Sequence, residues 1–156
     1  MPRPNKTEEN LKTIISFLKE SQEIGRPKVS TMKLEKSVIE PGVVAVFHDE
    51  KESKGFYLIA EGEQSEPLGC LLITTEWSDW RNGTMLWIQS LFVVAKARRK
   101  GVFKKMYFYL QNLVNDESTD FRGIRLYVEK DNEIATSVYN SIGMDGEHYN
   151  MFQWIP

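Results

Sequence analysis

The sequence predicts a mixed α/β fold on three observations. Apolar residues at helical spacing alternate with short β-branched runs. Those runs are joined both by hairpin signals and by helical stretches, which an all-parallel or all-antiparallel design would not need. The chain has 156 residues, room for one domain that buries roughly 70% of its unfolded surface without staples.

Thr7 to Glu20 reads as the first helix, with Thr7 as its cap and Leu11, Ile14, Ile15 and Leu18 as one apolar stripe. Gly25-Arg26-Pro27 ends it, and Ser30 caps a shorter helix through Ile39. Val43–Phe47 fits either a strand or a helical turn opened by Pro41. Phe56–Ala60 and Leu68–Thr75 are apolar runs around the polar Glu61–Pro67, as in a hairpin. Asn82-Gly83 is a second hairpin signal, because both residues accept positive φ. Met85–Val94, apolar on both faces, reads as a central strand. A helix over Val102–Val114 follows Gly101, then a strand over Gly123–Glu129. Asn132 caps a helix through Ile142 that Gly143 closes, and His148–Ile155 alternates as a final strand.

Composition excludes several function classes. Twenty basic against 22 acidic residues leave a net charge of −2, which implies no general attraction to nucleic acid or acidic lipid. One cysteine and two histidines permit neither an internal disulfide nor a His/Cys metal cage. No apolar run is long enough to span a bilayer, and Met1–Lys6 lacks the apolar region of a secretory signal, so a cytoplasmic protein is expected.

Two segments carry chemistry. The first is a strand, a basic turn and a helix start: Leu91-Phe92-Val93-Val94, then Ala95-Lys96-Ala97-Arg98-Arg99-Lys100-Gly101, then Val102 onward. A helix start offers unpaired N–H groups and the positive end of the macrodipole. A glycine there admits a ligand to the backbone, so the place suits a pyrophosphate; a solvated basic turn is the plainer alternative. In the second, Tyr139 follows Asn132 by two helical turns, where a phenol can pack or donate a proton to a leaving group.

Together these segments resemble the GNAT superfamily of acetyl-CoA-dependent N-acetyltransferases. The family's Arg/Gln-x-x-Gly-x-Gly/Ala motif stands as Arg98-Arg99-Lys100-Gly101-Val102-Phe103 after Leu91-Phe92-Val93. Its later Asn-x-x-Ala-x-x-x-Tyr matches Asn132, Ala135 and Tyr139, with Gly143-Met144 behind. Arg3-Pro4 before Thr7-Glu8-Glu9 looks like the close of the family's first strand and the opening of its first helix. Glu76-Trp77-Ser78-Asp79-Trp80 and Trp87–Val93 parallel the spermidine/spermine and thialysine branch, which carries an acidic pair where this chain has Gln89-Ser90. The family's small third residue is Phe103 here, and its ring must enter the core if the turn is to hold a diphosphate.

The resemblance implies a single GNAT-like acyl-CoA N-acyltransferase domain over residues 1–156, with a splayed central sheet and about four helices. It implies acetyl-CoA as cosubstrate, no metal, a small-molecule amine as acceptor, no nucleic acid or membrane partner, and a homodimer. Leu91, Phe92 and Val93 would hold the pantetheine arm, and the turn from Arg98 through Arg99, Lys100, Gly101, Val102 and Phe103 to Lys104 the pyrophosphate. Asn132 and Ala135 join that cofactor set. Tyr139 would protonate the departing thiolate, and Glu129 would take the amine's proton, with Glu76 and Asp79 as other candidate bases. Trp80, Gln89, Arg125 and Tyr127 would line the acceptor side. Trp77, Trp80 and Trp87 could form an aromatic wall for a cation, core packing or a dimer contact. Cys70 reads as a buried small hydrophobe. An acyl-CoA-binding module without transfer, and an enzyme acting on protein amines, are the competing functions.

Overall fold

The structure is a computed structural model and describes residues 7–23 and 36–156. Arg3-Pro4, Gly25-Arg26-Pro27 and Ser30, to which the sequence assigns a strand end, a helix end and a cap, lie outside those residues. Two compact units emerge, Met1–Arg125 and Leu126–Pro156.

The first unit opens with α1, Glu8–Glu23. Thr7 caps it as expected: its hydroxyl accepts from the Asn10 N–H at 3.2 Å. Helix α2 spans Lys36–Phe47, so the ambiguous Val43–Phe47 is helical and runs on past Ile39. The reason is packing. Ile39, Val43, Val46 and Phe47 recur at helical spacing and enter one cluster with Ile14 and Phe17 of α1.

Strand β1 is Phe56–Glu61, β2 Pro67–Ser78 and β3 Gly83–Val93. β1 pairs antiparallel with β2, and β2 antiparallel with β3. At the β2–β3 turn, Asp79–Arg81 forms a short 3₁₀ turn and Asn82 takes φ 45°. Gly83 does not share the positive φ; it already begins β3. The short helical turn has done the reversing that a two-residue Asn-Gly turn was expected to do.

α3 is Val102–Asn115, and β4 is Phe121–Leu126. The order across the sheet is β1-β2-β3-β4. β4 runs parallel to β3. The Thr84 N–H donates to the Asp120 carbonyl at 2.9 Å, Gly123 lies against Met85, and Arg125 sits over Trp87, so position rises together on both strands. β4 stops at Leu126, three residues short of the predicted Glu129.

Strand alternation sorts the core into two layers. One face of the sheet shows Tyr57, Ile59, Cys70 and Phe92 to α1 and α2, with Phe17 stacked on Phe92 at 4.9 Å between ring centroids. The other presents Leu58, Leu71, Ile73, Leu86 and Ile88, and α3 supplies Val102, Phe103, Met106 and Leu110 to the buried core. Each fully buried residue of this size contributes roughly 1.5–3 kcal/mol by leaving water.

In the second unit α4 spans Glu133–Ser141. The Asn132 side chain accepts from the Ala135 N–H at 3.1 Å, and Gly143 takes φ 85° at the far end, both as predicted. The expected final strand is absent. Residues 148–156 have no regular structure. Their alternation breaks at Met151-Phe152 and Trp154-Ile155.

Candidate active site

The basic turn leaves β3 at Val93, passes a 3₁₀ turn at Ala95–Ala97, and enters α3 through Gly101. Gly101 holds φ 76°, a left-handed conformation that favours glycine. A Cβ built on it would meet nothing within 4 Å, so the space in front of it is open. As the N-cap it brings no side chain to the first-turn N–H groups of Val102 and Lys104, and the first helical bond here is Lys105 N–H to Gly101 O at 3.0 Å. Arg99 is also left-handed, at φ 60°. Arg98, Arg99, Lys100 and Lys104 are all exposed.

Two details change the expected roles. Arg98 turns back, and its Nε donates to the Val93 carbonyl at 3.0 Å, fastening the turn to the end of β3. Phe103 is 8% exposed and lies near Tyr107. Its ring therefore belongs to the core and leaves the mouth of the turn clear, as the family pattern requires. An anion placed there meets backbone N–H groups, the helix dipole and Arg99 and Lys100 together.

β3 carries a bulge that sequence reasoning missed. Leu72 pairs with Ser90 and Ile73 with Ile88, so Gln89 is the extra residue. Its side chain donates to Thr74 Oγ1 at 2.8 Å. Two polar residues in succession, Gln89-Ser90, within an otherwise apolar strand were the available signal. Past the bulge, β2 is the only strand paired with β3 among the described residues, at Leu71↔Leu91, Cys70↔Phe92 and Gly69↔Val93. β4 has by then ended. Leu91–Val93 thus run on beyond the last residue of β4, with the Val93 carbonyl accepting from Arg98.

The face of the sheet that bears Cys70 and Leu72 continues, beyond α1 and α2, as a polar strip. Trp87 Nε1 donates to a Glu76 oxygen. Arg125 pairs with the other oxygen of Glu76 at 3.1 Å, with its guanidinium 5.9 Å from the centre of the Trp87 ring. Gln89, through Thr74, and Arg125, through Glu76, are each tied to β2. Trp80 does not join them; it is 92% exposed on the hairpin turn. Trp77 alternates to the opposite face, so the three indoles build no single wall. Glu76 is already an acceptor to two donors.

The second unit holds Tyr127, Glu129, Asn132, Ala135 and Tyr139. Tyr127 and Glu129 follow the end of β4, so strand alternation no longer governs their direction. Glu129 is exposed. Tyr139 is half-buried, and that burial pushes its phenol above the ordinary tyrosine value, which keeps the proton on. Among the described residues no group of three or more His, Cys, Asp or Glu side chains could hold a metal ion.

A strand that runs on past a bulge into a basic turn, and a helix start that no side chain caps, are the features the sequence pattern shares with acyl-CoA-using proteins. Residues 22–144 match the model of the acetyltransferase (GNAT) family, and the chain belongs to that family. It is similar to a possible acetyltransferase from Clostridium difficile 630, at 33% identity and TM-score 0.82 over 99% of this chain and 95% of that one. A putative acetyl transferase from Pyrococcus furiosus shares the fold at 20% identity and TM-score 0.67, over 95% of each chain. So does an aminoglycoside acetyltransferase from an uncultured soil metagenomic sample, in complex with sisomicin, at 13% identity and TM-score 0.71 over 99% of this chain and 93% of that one. No curated protein matches the chain. The protein is an acetyl-CoA-dependent N-acetyltransferase with an α/β GNAT fold, four helices and a four-stranded mixed sheet among the described residues.

Proposed function

We propose that residues 1–156 act as one GNAT domain that moves an acetyl group from acetyl-CoA to a primary amine of a small molecule by direct attack in a ternary complex. The observation that carries this reading is the continuity of bulge, strand end and uncapped helix start from Gln89 to Gly101. Backbone groups of Leu91–Val93 hydrogen-bond the pantetheine amides as a neighbouring strand would, and an N–H there polarises the thioester carbonyl. The N–H groups of Val102 and Lys104, with Arg99 and Lys100, take the diphosphate. Arg98 acts through the turn it fastens.

The neutral amine attacks the thioester carbon, the C–N bond forms, and collapse of the tetrahedral intermediate breaks the C–S bond. The thiolate takes the phenolic proton of Tyr139, and the amine's proton leaves through Glu129 or a water. Most of the acceleration comes from positioning; the general acid adds on the order of 10²–10⁴. Glu129 is preferred as base because Glu76 is engaged by Trp87 and Arg125. The likeness of the Trp-bearing hairpin to the spermidine/spermine and thialysine branch makes amines the first acceptors to try. Gln89-Ser90, in place of an acidic pair, favours less cationic ones. Exposed aromatics at Tyr149, Phe152 and Trp154 support a homodimer, and the composition a cytoplasmic location.

The test joins acetyl-CoA titration calorimetry to a thiol-release screen over polyamines, lysine analogues, amino sugars and aminoalkyl phosphonates. Tyr139→Phe is expected to lower turnover by about 10²-fold with acetyl-CoA affinity nearly unchanged, and Gly101→Glu to weaken that affinity. Full activity of the first variant at every pH, or undiminished affinity of the second, defeats the corresponding assignment.

A further inference from the structure

The polar strip beside the bulge has a feature that the transfer mechanism leaves unused. Glu76 on β2, Trp87 on β3 and Arg125 on β4 are mutually connected: the indole donates to one carboxylate oxygen, the guanidinium pairs with the other, and the guanidinium lies over the indole face. Three strands each contribute one side chain, so the sheet itself holds the geometry. Both charged members keep solvent access, with 26% of the Arg125 side chain and 46% of the Glu76 side chain exposed. Gln89 and Thr74, hydrogen-bonded to each other, sit between this cluster and the Leu91–Val93 end of β3.

We propose that the Glu76–Arg125 pair is a specificity device that excludes acceptors bearing a second positive charge. This rests on the reading that the thioester lies at the Leu91–Val93 end of β3, which places the acceptor's far end over the strip. There an approaching cation meets a carboxylate already neutralised by Arg125, with a guanidinium beside it. The strip, with no net charge, therefore offers a second ammonium no attraction to offset the loss of its water, while an uncharged tail bears no such cost. The substrate class is a primary amine with a neutral remainder. Removing Arg125 alone would leave the Glu76 carboxylate held by Trp87 Nε1 without the guanidinium charge, turning the strip into a cation site.

Two probes of equal length, pentylamine and 1,5-diaminopentane, measure this. Calorimetric binding and the KM from thiol release are compared in the intact protein, Arg125→Gln, Arg125→Lys and the double variant Glu76→Gln/Arg125→Gln. The intact protein is expected to prefer the monoamine. Arg125→Gln should shift the ratio toward the diamine by about fivefold, the upper end for an exposed charge pair, and the shift should shrink with added salt. Arg125→Lys and the double variant should return the original ratio, which a merely structural role for Arg125 would not do. A wild-type preference for the diamine, an unchanged ratio in Arg125→Gln, or persistence of the shift in the double variant overturns the proposal. Absence of thiol release with every amine would defeat the transfer reading instead, and the calorimetric ratio would still decide this one.

Discussion

At the scale of single residues, Phe103 and Cys70 show how one environment decides a role. The family pattern asks for a small residue where Phe103 stands, and its ring satisfies that demand by joining the core under α3. This removes one reason to regard the chain as a binding module without transfer. Cys70 is 1% exposed, and burial pushes its thiol from the ordinary 9.0 to about 12. Burial also drives the Tyr57 phenol upward on the same face of the sheet. Both groups fold in their protonated form. Above pH 9 the unfolded chain releases the cysteine proton while the folded chain retains it, so stability must decline as pH rises. The slope is about 1.4 kcal/mol per pH unit for one group, until the folded thiol itself titrates near pH 12. Urea midpoints from pH 8 to pH 11 measure it. Cys70→Ala should show a shallower alkaline decline than the intact protein, and identical slopes would refute the assignment.

Among the elements, the bulge in β3 is the one whose removal separates fold from function. Ile88 faces Ile73 and Ser90 faces Leu72, with Gln89 interposed. Deleting Gln89 leaves both pairings and both sheet faces in register, because the remaining residues alternate correctly. The deletion variant is expected to keep cooperative unfolding and lose turnover on the order of 10²-fold, the cost of misplacing an oxyanion donor. Retained activity would show that the bulge does not shape the thioester site. Local signals made other elements legible: Thr7 and Asn132 cap helices through contacts three residues away, and Gly101 and Gly143 mark helix ends by backbone sterics. Val43–Phe47 was not legible, since its β-branched residues are helical only through packing with α1. The Glu76–Trp87–Arg125 cluster was equally hidden, because its members come from three strands and meet only once the sheet has formed.

For the molecule as a whole, the family was readable from the Arg98–Phe103 and Asn132–Tyr139 motifs while the aromatic tail was not. Tyr149, Met151, Phe152, Trp154 and Ile155 are all at least 62% exposed, and such a run usually marks a contact surface. Light scattering is therefore expected to give twice the chain mass, and truncation after Glu147 to return the monomer; a monomeric full chain would reject the dimer. A last consequence follows from the placement of the sole cysteine beneath the helical layer. An enzyme of this family liberates a sulfhydryl compound at every turnover, and this chain keeps its own sulfur where a mixed disulfide with that product cannot readily form. Colour from a thiol-reactive dye in the native state should accordingly count product alone.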